Sequence, residues 1–286
     1  MIEQLLASLT DGMLVGVVYG LAAMGLTLIF GVMNVINLAH GPIIALGMFG
    51  VYLSYTQLGL TPLLGLVLVA GLGMLLGIVI YAAAVHRVID APHLSSLLST
   101  FSVNMIIIGI ATAIFSTSFR NVDYSLGVIV IGPITVPGTR LTAAIIALLV
   151  TALLYLFLYR TRPGKYVRAV ANNRTSAGLV GIPSTRVLAM SFGIGTALAA
   201  VAGGLIAMAL PFTILSGGAY ELKSFVIVVL GGLGNPIGAL LGGIILGLIE
   251  GLVPVFMKVT WVPVLEFVLF VLILLVRPQG LFGAKQ

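Results

Sequence analysis

The side chains that could do chemistry in this 286-residue chain are sparse, and many of the charged ones are concentrated in one segment. Six of the 13 Lys and Arg residues lie between residues 160 and 186, where there is no acid. Basic segments between apolar spans lie on the cytoplasmic side of a membrane. This one is long enough to be a docking surface that inserts short helices into a groove on a cytosolic partner. An amphipathic helix that only rests on lipid headgroups is the alternative, and the spacing does not separate the two.

A second group of polar residues interrupts two apolar runs, residues 30–50 and 228–247. Each run has a polar break, which we expect near the middle of the span, followed by a glycine-spaced helix. Such breaks leave backbone N–H and C=O groups free to face a ligand, and paired breaks point to a transporter's substrate site. The predicted substrate-pathway residues are Asn34, Asn37, His40, Gly41, Gly231, Gly232 and Asn235. Helix packing is the alternative for His40 and for glycine-rich stretches, and we favour it for Gly238, Gly242 and Gly243.

No arrangement of residues is typical of an enzyme. A clustered nucleophile and base, a carboxylate pair and a metal-ligand set are all missing from the sequence, and there is no cysteine. The phosphate-binding pattern G-x-x-x-x-G-K-[ST] is also missing. The sequence therefore predicts no cofactor in this chain and no catalysis by it.

Composition identifies the class of protein. Hydrophobic residues make up 60% of the chain and charged residues 7%, whereas a soluble domain carries about 25% charged residues. The mean hydropathy is +1.27. Long aliphatic runs without strand-like alternation predict an all-α polytopic membrane protein of about 8–10 transmembrane segments, some interrupted or re-entrant. The net charge of +6 reflects basic residues between spans and does not indicate nucleic-acid binding.

The apolar runs predict eight stretches within the membrane. They cover residues 13–32, 42–55, 62–85, 97–115, 141–159, 187–210, 225–256 and 262–276. With residues 160–186 inside, the N-terminus is predicted to be periplasmic. The C-terminal segment, with Arg277 and Lys285, is predicted to be cytoplasmic. That requires an odd number of crossings, so we expect residues 225–256 to be two helices broken at residues 231–236.

Turn and cap signals divide the basic segment into two short helices. They are predicted at residues 165–171 and 175–180, with Asn172 or Asn173 as a cap between them. Gly181 is expected to end the second helix, and Ser184 or Thr185 to cap the next span. Val167, Val170, Ala177 and Val180 are expected to share one face. At the opposite membrane face, we expect Glu221 and Lys223 to be solvated, and Glu266 to pair with Lys258 or reach the surface.

Four ordered motifs carry a resemblance to a known family. They are GLTLIFGVMNVINLAHG, RAVANNRTSAGLVGI, FVIVVLGGLGNPIGALLGG and VRPQGLFG. Together they resemble the permease subunits of ABC importers for branched-chain amino acids, of the Liv type and its H-like subunit, over nearly the whole chain. The resemblance implies a single transmembrane permease domain, residues 1–286, with residues 160–186 as a cytosolic coupling segment.

The resemblance also implies partners and residue roles. The partners are a second related permease, two cytosolic ATPase subunits that bind ATP and Mg, and a periplasmic substrate-binding protein, at the bacterial inner membrane. The implied ATPase-coupling residues are Arg168, Ala169, Asn172, Ala177, Gly181 and Ile182. The general ABC-permease version of this loop begins Glu-Ala-Ala, whereas this chain has Arg-Ala-Val. Without the resemblance, the residues also allow a second function, that of a passive channel for small neutral solutes such as urea or amides.

Overall fold

A computed structural model describes residues 2–132, 134–277 and 279–283. The fold is a bundle of helices with one small hairpin. The helices are α1 (Ile2–Met33), α2 (His40–Thr56), α3 (Pro62–Ile80, continued by a π-helical turn at Tyr81–Val85), α4 (His93–Phe115), α5 (Gly138–Arg160), α6 (Arg162–Asn172), α7 (Arg174–Leu179), α8 (Ser184–Ala207), α9 (Ser216–Gly231), α10 (Pro236–Phe256) and α11 (Val262–Val276). The predicted all-α polytopic class is confirmed.

Seven helices in the described part of the chain are long and apolar enough to cross a membrane. The two remaining apolar helices, α2 and α9, have only 17 and 16 residues. The predicted break in residues 225–256 is confirmed, because α9 ends at Gly231 and α10 begins at Pro236. The backbone turns through Gly232 and Gly234, whose φ angles are +91° and +82°, a region that glycine enters without strain.

Helices α1 and α8 form the centre of the bundle. The apolar windows of both are 78% buried, against 17–33% for the other five long helices. The sequence permits this because α8 is rich in Gly and Ala, which let neighbouring helix backbones approach closely. Phe49 on α2 closes one side of this core, with its ring 4.5 Å from that of Phe115 and 5.1 Å from that of Phe212.

A glycine seam joins α1 to α10. Gly12, Gly16 and Gly20 recur every fourth residue on α1, and Gly243, Gly247 and Gly251 do the same on α10. The two rows run antiparallel and face each other without side chains between them. Gly238 and Gly242 likewise pack against α9, so the glycines for which a packing role was favoured all lie at helix contacts.

Polar contacts define the two ends of the bundle. At the basic end, which carries residues 160–186, Arg174 Nη1 lies 2.7 Å from Asp90 Oδ1, so the turn after α3 reaches the basic segment. At the opposite end, Arg140 pairs with Asp11, and the Tyr55 hydroxyl donates to the Asp123 carbonyl over 3.0 Å. The C-terminal residues 279–283 return to the basic end, where the Asn235 amide donates to the Phe282 carbonyl. The position of Lys285 lies outside the described residues.

Three details differ from the sequence-based expectation. Helix α1 begins at Ile2, well before the apolar run predicted from residue 13, and Asp11 within this extension pairs with Arg140. Strands β1 (Val128–Ile131) and β2 (Ile134–Pro137) form an unpredicted antiparallel hairpin, with Val128 opposite Pro137 and Val130 opposite Thr135. Helix α8 follows Pro183 without a side-chain cap, so the predicted cap at Ser184 or Thr185 is wrong.

Candidate functional site

The basic segment folds as two short helices fixed by side-chain caps. Thr161 Oγ1 accepts the Gly164 N–H over 3.1 Å at the start of α6. Asn173 is extended between the helices, and its Oδ1 accepts the Ser176 N–H over 2.9 Å at the start of α7. Gly181, with a φ of +82°, then reverses the chain. The predicted pair of helices, the Asn173 cap and the Gly181 stop are confirmed.

One face of the segment packs against the bundle. Val167, Val170 and Ala177 share one face, as expected, but this face is buried within the chain and is not open to a partner. Arg168 also faces back, because its Nε donates to the Leu158 carbonyl over 3.0 Å and its guanidinium lies 4.6 Å from the centre of the Tyr159 ring. The segment is therefore held against the end of α5, and motion of these short helices would be transmitted to that span.

The tip of the segment exposes two apolar side chains, Leu179, which the sequence did not single out, and Val180, which was expected on the same face as Val167. Leu179 is 86% exposed and Val180 is 76% exposed. The prediction that Val180 shares a face with Val167, Val170 and Ala177 is wrong, because α7 ends at Leu179 and the turn into Gly181 directs Val180 outward. The available signal was an apolar pair between two glycines, Gly178 and Gly181, in a polar segment. Exposed basic residues complete this surface: Arg160, Arg162, Lys165 and Arg186.

The six predicted coupling residues divide by environment. Arg168 is exposed but bonded to the bundle, and Ala177 is buried. Ala169 and Ile182 are half-buried, and Ile182 donates its N–H to the Ala177 carbonyl over 3.1 Å. The others, Asn172 and Gly181, are exposed. The buried and half-buried coupling residues therefore pack within the chain, whereas the exposed ones border the apolar tip formed by Leu179 and Val180.

The predicted substrate-pathway residues separate into two places. The first is the junction between α1 and α2. Asn34 ends α1 with a left-handed φ of +52°, and the linker turns back into the protein, so Asn37 and His40 are fully buried. His40 Nε2 lies 3.1 Å from the Ala22 carbonyl, well inside α1. Gly41 packs so tightly that a Cβ there would lie 2.7 Å from the Gly217 carbonyl oxygen.

Helix α4 holds this junction through its polar side chains. Thr100 Oγ1 donates to the Ile36 carbonyl over 3.0 Å, and Asn104 Nδ2 donates to the Leu38 carbonyl over 2.6 Å. Five buried side-chain atoms have no hydrogen-bond partner among the described residues. Three of them, Asn37 Nδ2, His40 Nδ1 and Asn104 Oδ1, belong to this junction and the α4 residue that holds it, and the other two are Thr27 Oγ1 and Glu266 Oε1. Unpartnered polar atoms in an apolar interior are costly, and this makes the junction a candidate site for contact with a polar group.

The second break lies at the basic end and not near the middle of the bundle. Leu233 and Gly234 are exposed. Asn235 caps α10 by accepting the Gly238 N–H over 3.1 Å, and Gly231 and Gly232 pack against α10 and the C-terminal segment. The expectation that both breaks share one depth is therefore wrong.

Glu221 also departs from expectation. It is buried beside Gly41 and Gly217, where α9 crosses the junction, rather than solvated at a helix end.

Comparison with known sequences decides the family. The profile described as "Branched-chain amino acid transport system / permease component" matches residues 8–276. The chain belongs to this permease family. It is 30% identical to the protein named high-affinity branched-chain amino acid transport system permease protein LivH of Salmonella typhimurium, over 98% of this chain and 96% of that protein. LivH of Escherichia coli K12 and BraD of Pseudomonas aeruginosa show the same identity and coverage. No solved structure matches.

Membership of this permease family agrees with the architecture. Seven helices among the described residues are long and apolar enough to cross a membrane, which supports a multi-pass membrane protein. The four motifs from which the resemblance was recognised fall on the α1–α2 junction, the α6–α7 segment, the α9–α10 break and the C-terminal segment that covers it.

Proposed function

We propose that the chain is the transmembrane permease subunit of an ABC importer that moves branched-chain amino acids from the periplasm to the cytoplasm. The observation that carries this is the family match over residues 8–276, and the basic segment with its exposed apolar tip supports it. Two cytosolic ATPase subunits bind ATP and Mg, and they contact this segment at Leu179 and Val180. The segment lies in the cytoplasm, the N-terminus in the periplasm and the C-terminus in the cytoplasm.

The complex has two further partners, a second permease chain and a periplasmic binding protein. A second, related permease chain pairs with this one in the inner membrane, and a periplasmic binding protein delivers substrate at the end carrying the hairpin. Closure of the ATPase pair moves α6 and α7, and the Arg168 bond to the Leu158 carbonyl carries that motion into α5. One half of the permease then rocks against the other and opens the route inward.

The α1–α2 junction is the part of the pathway that this chain contributes. Asn34, Asn37, His40 and Gly41 lie there, and the unpartnered amide and imidazole nitrogens supply hydrogen bonds to a passing polar group. Gly231, Gly232 and Asn235 act instead as a hinge between α9 and α10 at the cytoplasmic mouth. Few charges line this route, which suits a zwitterionic cargo.

Transport by the complete complex tests this function. In vesicles containing both permeases, the ATPase subunits and the binding protein, we expect leucine uptake only with ATP and with the binding protein present, because the family match makes this chain the permease component of such a system. The measurement is the initial rate of radiolabelled leucine accumulation, with a non-hydrolysable ATP analogue as the control. Equal uptake without ATP, or rapid uptake of urea, would identify a channel or a gradient-driven carrier.

A further inference from the structure

A cavity of about 490 Å³ opens at the end of the bundle opposite residues 160–186. It lies between α1, α5, α9, α10 and α11, well away from the α1–α2 junction, and its size suits a small ligand. The polar residues in its lining are Asp11, Tyr19, Arg140, Lys223, Glu250 and Glu266. This concentration of charge is unusual in a chain with only seven acids.

The charges in the cavity do not balance. Arg140 pairs with Asp11, and Lys223 Nζ lies 2.7 Å from Glu250 Oε2. Glu266 is the third carboxylate, and two cations cannot neutralise all three. Its Oε1 lies 3.7 Å from Lys223 Nζ, beyond hydrogen-bonding distance. The expectation that Glu266 pairs with Lys258 or reaches the surface is wrong.

Glu266 is the residue that points to a ligand. Its side chain is only 6% exposed, and Oε1 has no hydrogen-bond partner within the described residues. A buried carboxylate oxygen without a donor is costly. Lys223 already donates to Glu250 and lies 4.7 Å from the centre of the Tyr19 ring, so its position is fixed by other contacts. A donor can reach this oxygen through the cavity, and a cationic donor would also offset the third carboxylate.

We propose that this cavity binds a small aliphatic α-amino acid, with Glu266 accepting its ammonium group. Arg140 and Lys223 carry more N–H donors than their contacts with Asp11 and Glu250 use, so both can also donate to the ligand carboxylate. Val15, Leu210 and Val262 supply an apolar wall for a hydrocarbon side chain. The identification of this ligand with the transported cargo rests on the proposed function, whereas the ammonium site rests on the cavity and its excess carboxylate.

Three probes that differ in one group each test the site. The full-length chain, in lipid nanodiscs with its partner permease, is titrated with L-leucine, 3-methylbutylamine and 4-methylpentanoate, and binding is followed by saturation-transfer NMR. We expect Glu266→Gln to weaken leucine and the amine by at least about tenfold, which corresponds to about 1.4 kcal/mol. Binding of 4-methylpentanoate, which has no ammonium group, should not weaken.

Two further variants guard against an effect on folding. Glu3→Gln removes an exposed acid of α1 outside the cavity lining and should leave all three affinities unchanged. Ala219→Leu adds bulk to the cavity wall without touching any charge and should weaken leucine as well. Unchanged binding of leucine and the amine in Glu266→Gln, equal weakening of all three probes, or no binding to the unaltered chain would overturn the proposal.

The uptake assay separates this proposal from the proposed function. If the unaltered complex imports leucine with ATP but Glu266→Gln binds and imports as well as the unaltered chain, the cavity assignment fails and the importer stands. If the cavity binds the amine through Glu266 but the complex imports no amino acid, the ammonium site stands and the importer assignment fails.

Discussion

Replacing Leu179 and Val180 together by aspartate will detach the ATPase subunits while the permease stays folded. Both side chains are almost fully exposed, so their loss removes no internal contact. Burying two such side chains in a partner groove contributes about 1.5–3 kcal/mol each, and a carboxylate placed there adds a desolvation cost. We therefore expect the affinity for the ATPase to fall by at least about a hundredfold, or about 2.8 kcal/mol.

The measurement is the amount of ATPase that co-purifies with an affinity-tagged permease, together with substrate-stimulated ATP hydrolysis. A matched control is the double variant Val128→Asp and Val130→Asp, which changes two similarly exposed apolar residues on the hairpin at the other end. It should retain the ATPase in full. Normal retention by the Leu179 and Val180 variant would show that the apolar tip is not the contact.

Replacing Gly16 by leucine will disrupt the centre of the bundle. A Cβ at this position would lie 2.6 Å from the Gly243 carbonyl oxygen and 3.0 Å from the Ile244 Cα, both in the backbone of α10. Backbone cannot move aside as a flexible side chain can, so the two helices must separate. Overpacking costs about 1–3 kcal/mol and occasionally more, and we expect at least the upper value here. The measurement is thermal unfolding in detergent, followed by size-exclusion chromatography.

The control for this variant is Gly71→Leu on α3. An added Cβ there meets nothing within 4 Å, and the residue is exposed. Both substitutions raise intrinsic helix propensity by the same amount, so any difference between them comes from packing. If Gly16→Leu were as stable as Gly71→Leu, the seam between α1 and α10 would not hold the bundle together.

Local signals in the sequence were sufficient for most of the helices. Pro62 and Pro236 mark helix starts, and the glycines at 232 and 234 mark the turn that divides residues 225–256. The cap at Asn173 and the stop at Gly181 were also readable, because both act through their own neighbours in the chain. Each of these features depends on a few adjacent residues.

Features that depend on distant residues could not be predicted. Asp11 pairs with Arg140, which lies far along the chain. Glu221 is buried because α9 crosses the α1–α2 junction. The different depths of the two breaks arise in the same way, since they follow from how whole helices are aligned. Periodicity within one helix carries no information about that alignment.

Site-specific cross-linking tests the central claim, which is that α6 and α7 form the contact with the ATPase. The chain has no cysteine, so Leu179→Cys places one thiol at the apolar tip without any background. In membranes containing the assembled complex, we predict that a short thiol-to-amine cross-linker joins this position to an ATPase subunit, and that a membrane-impermeant thiol reagent reaches it only from the cytoplasmic side. Labelling from the periplasmic side, or a tip that cross-links to no ATPase subunit, would contradict the account.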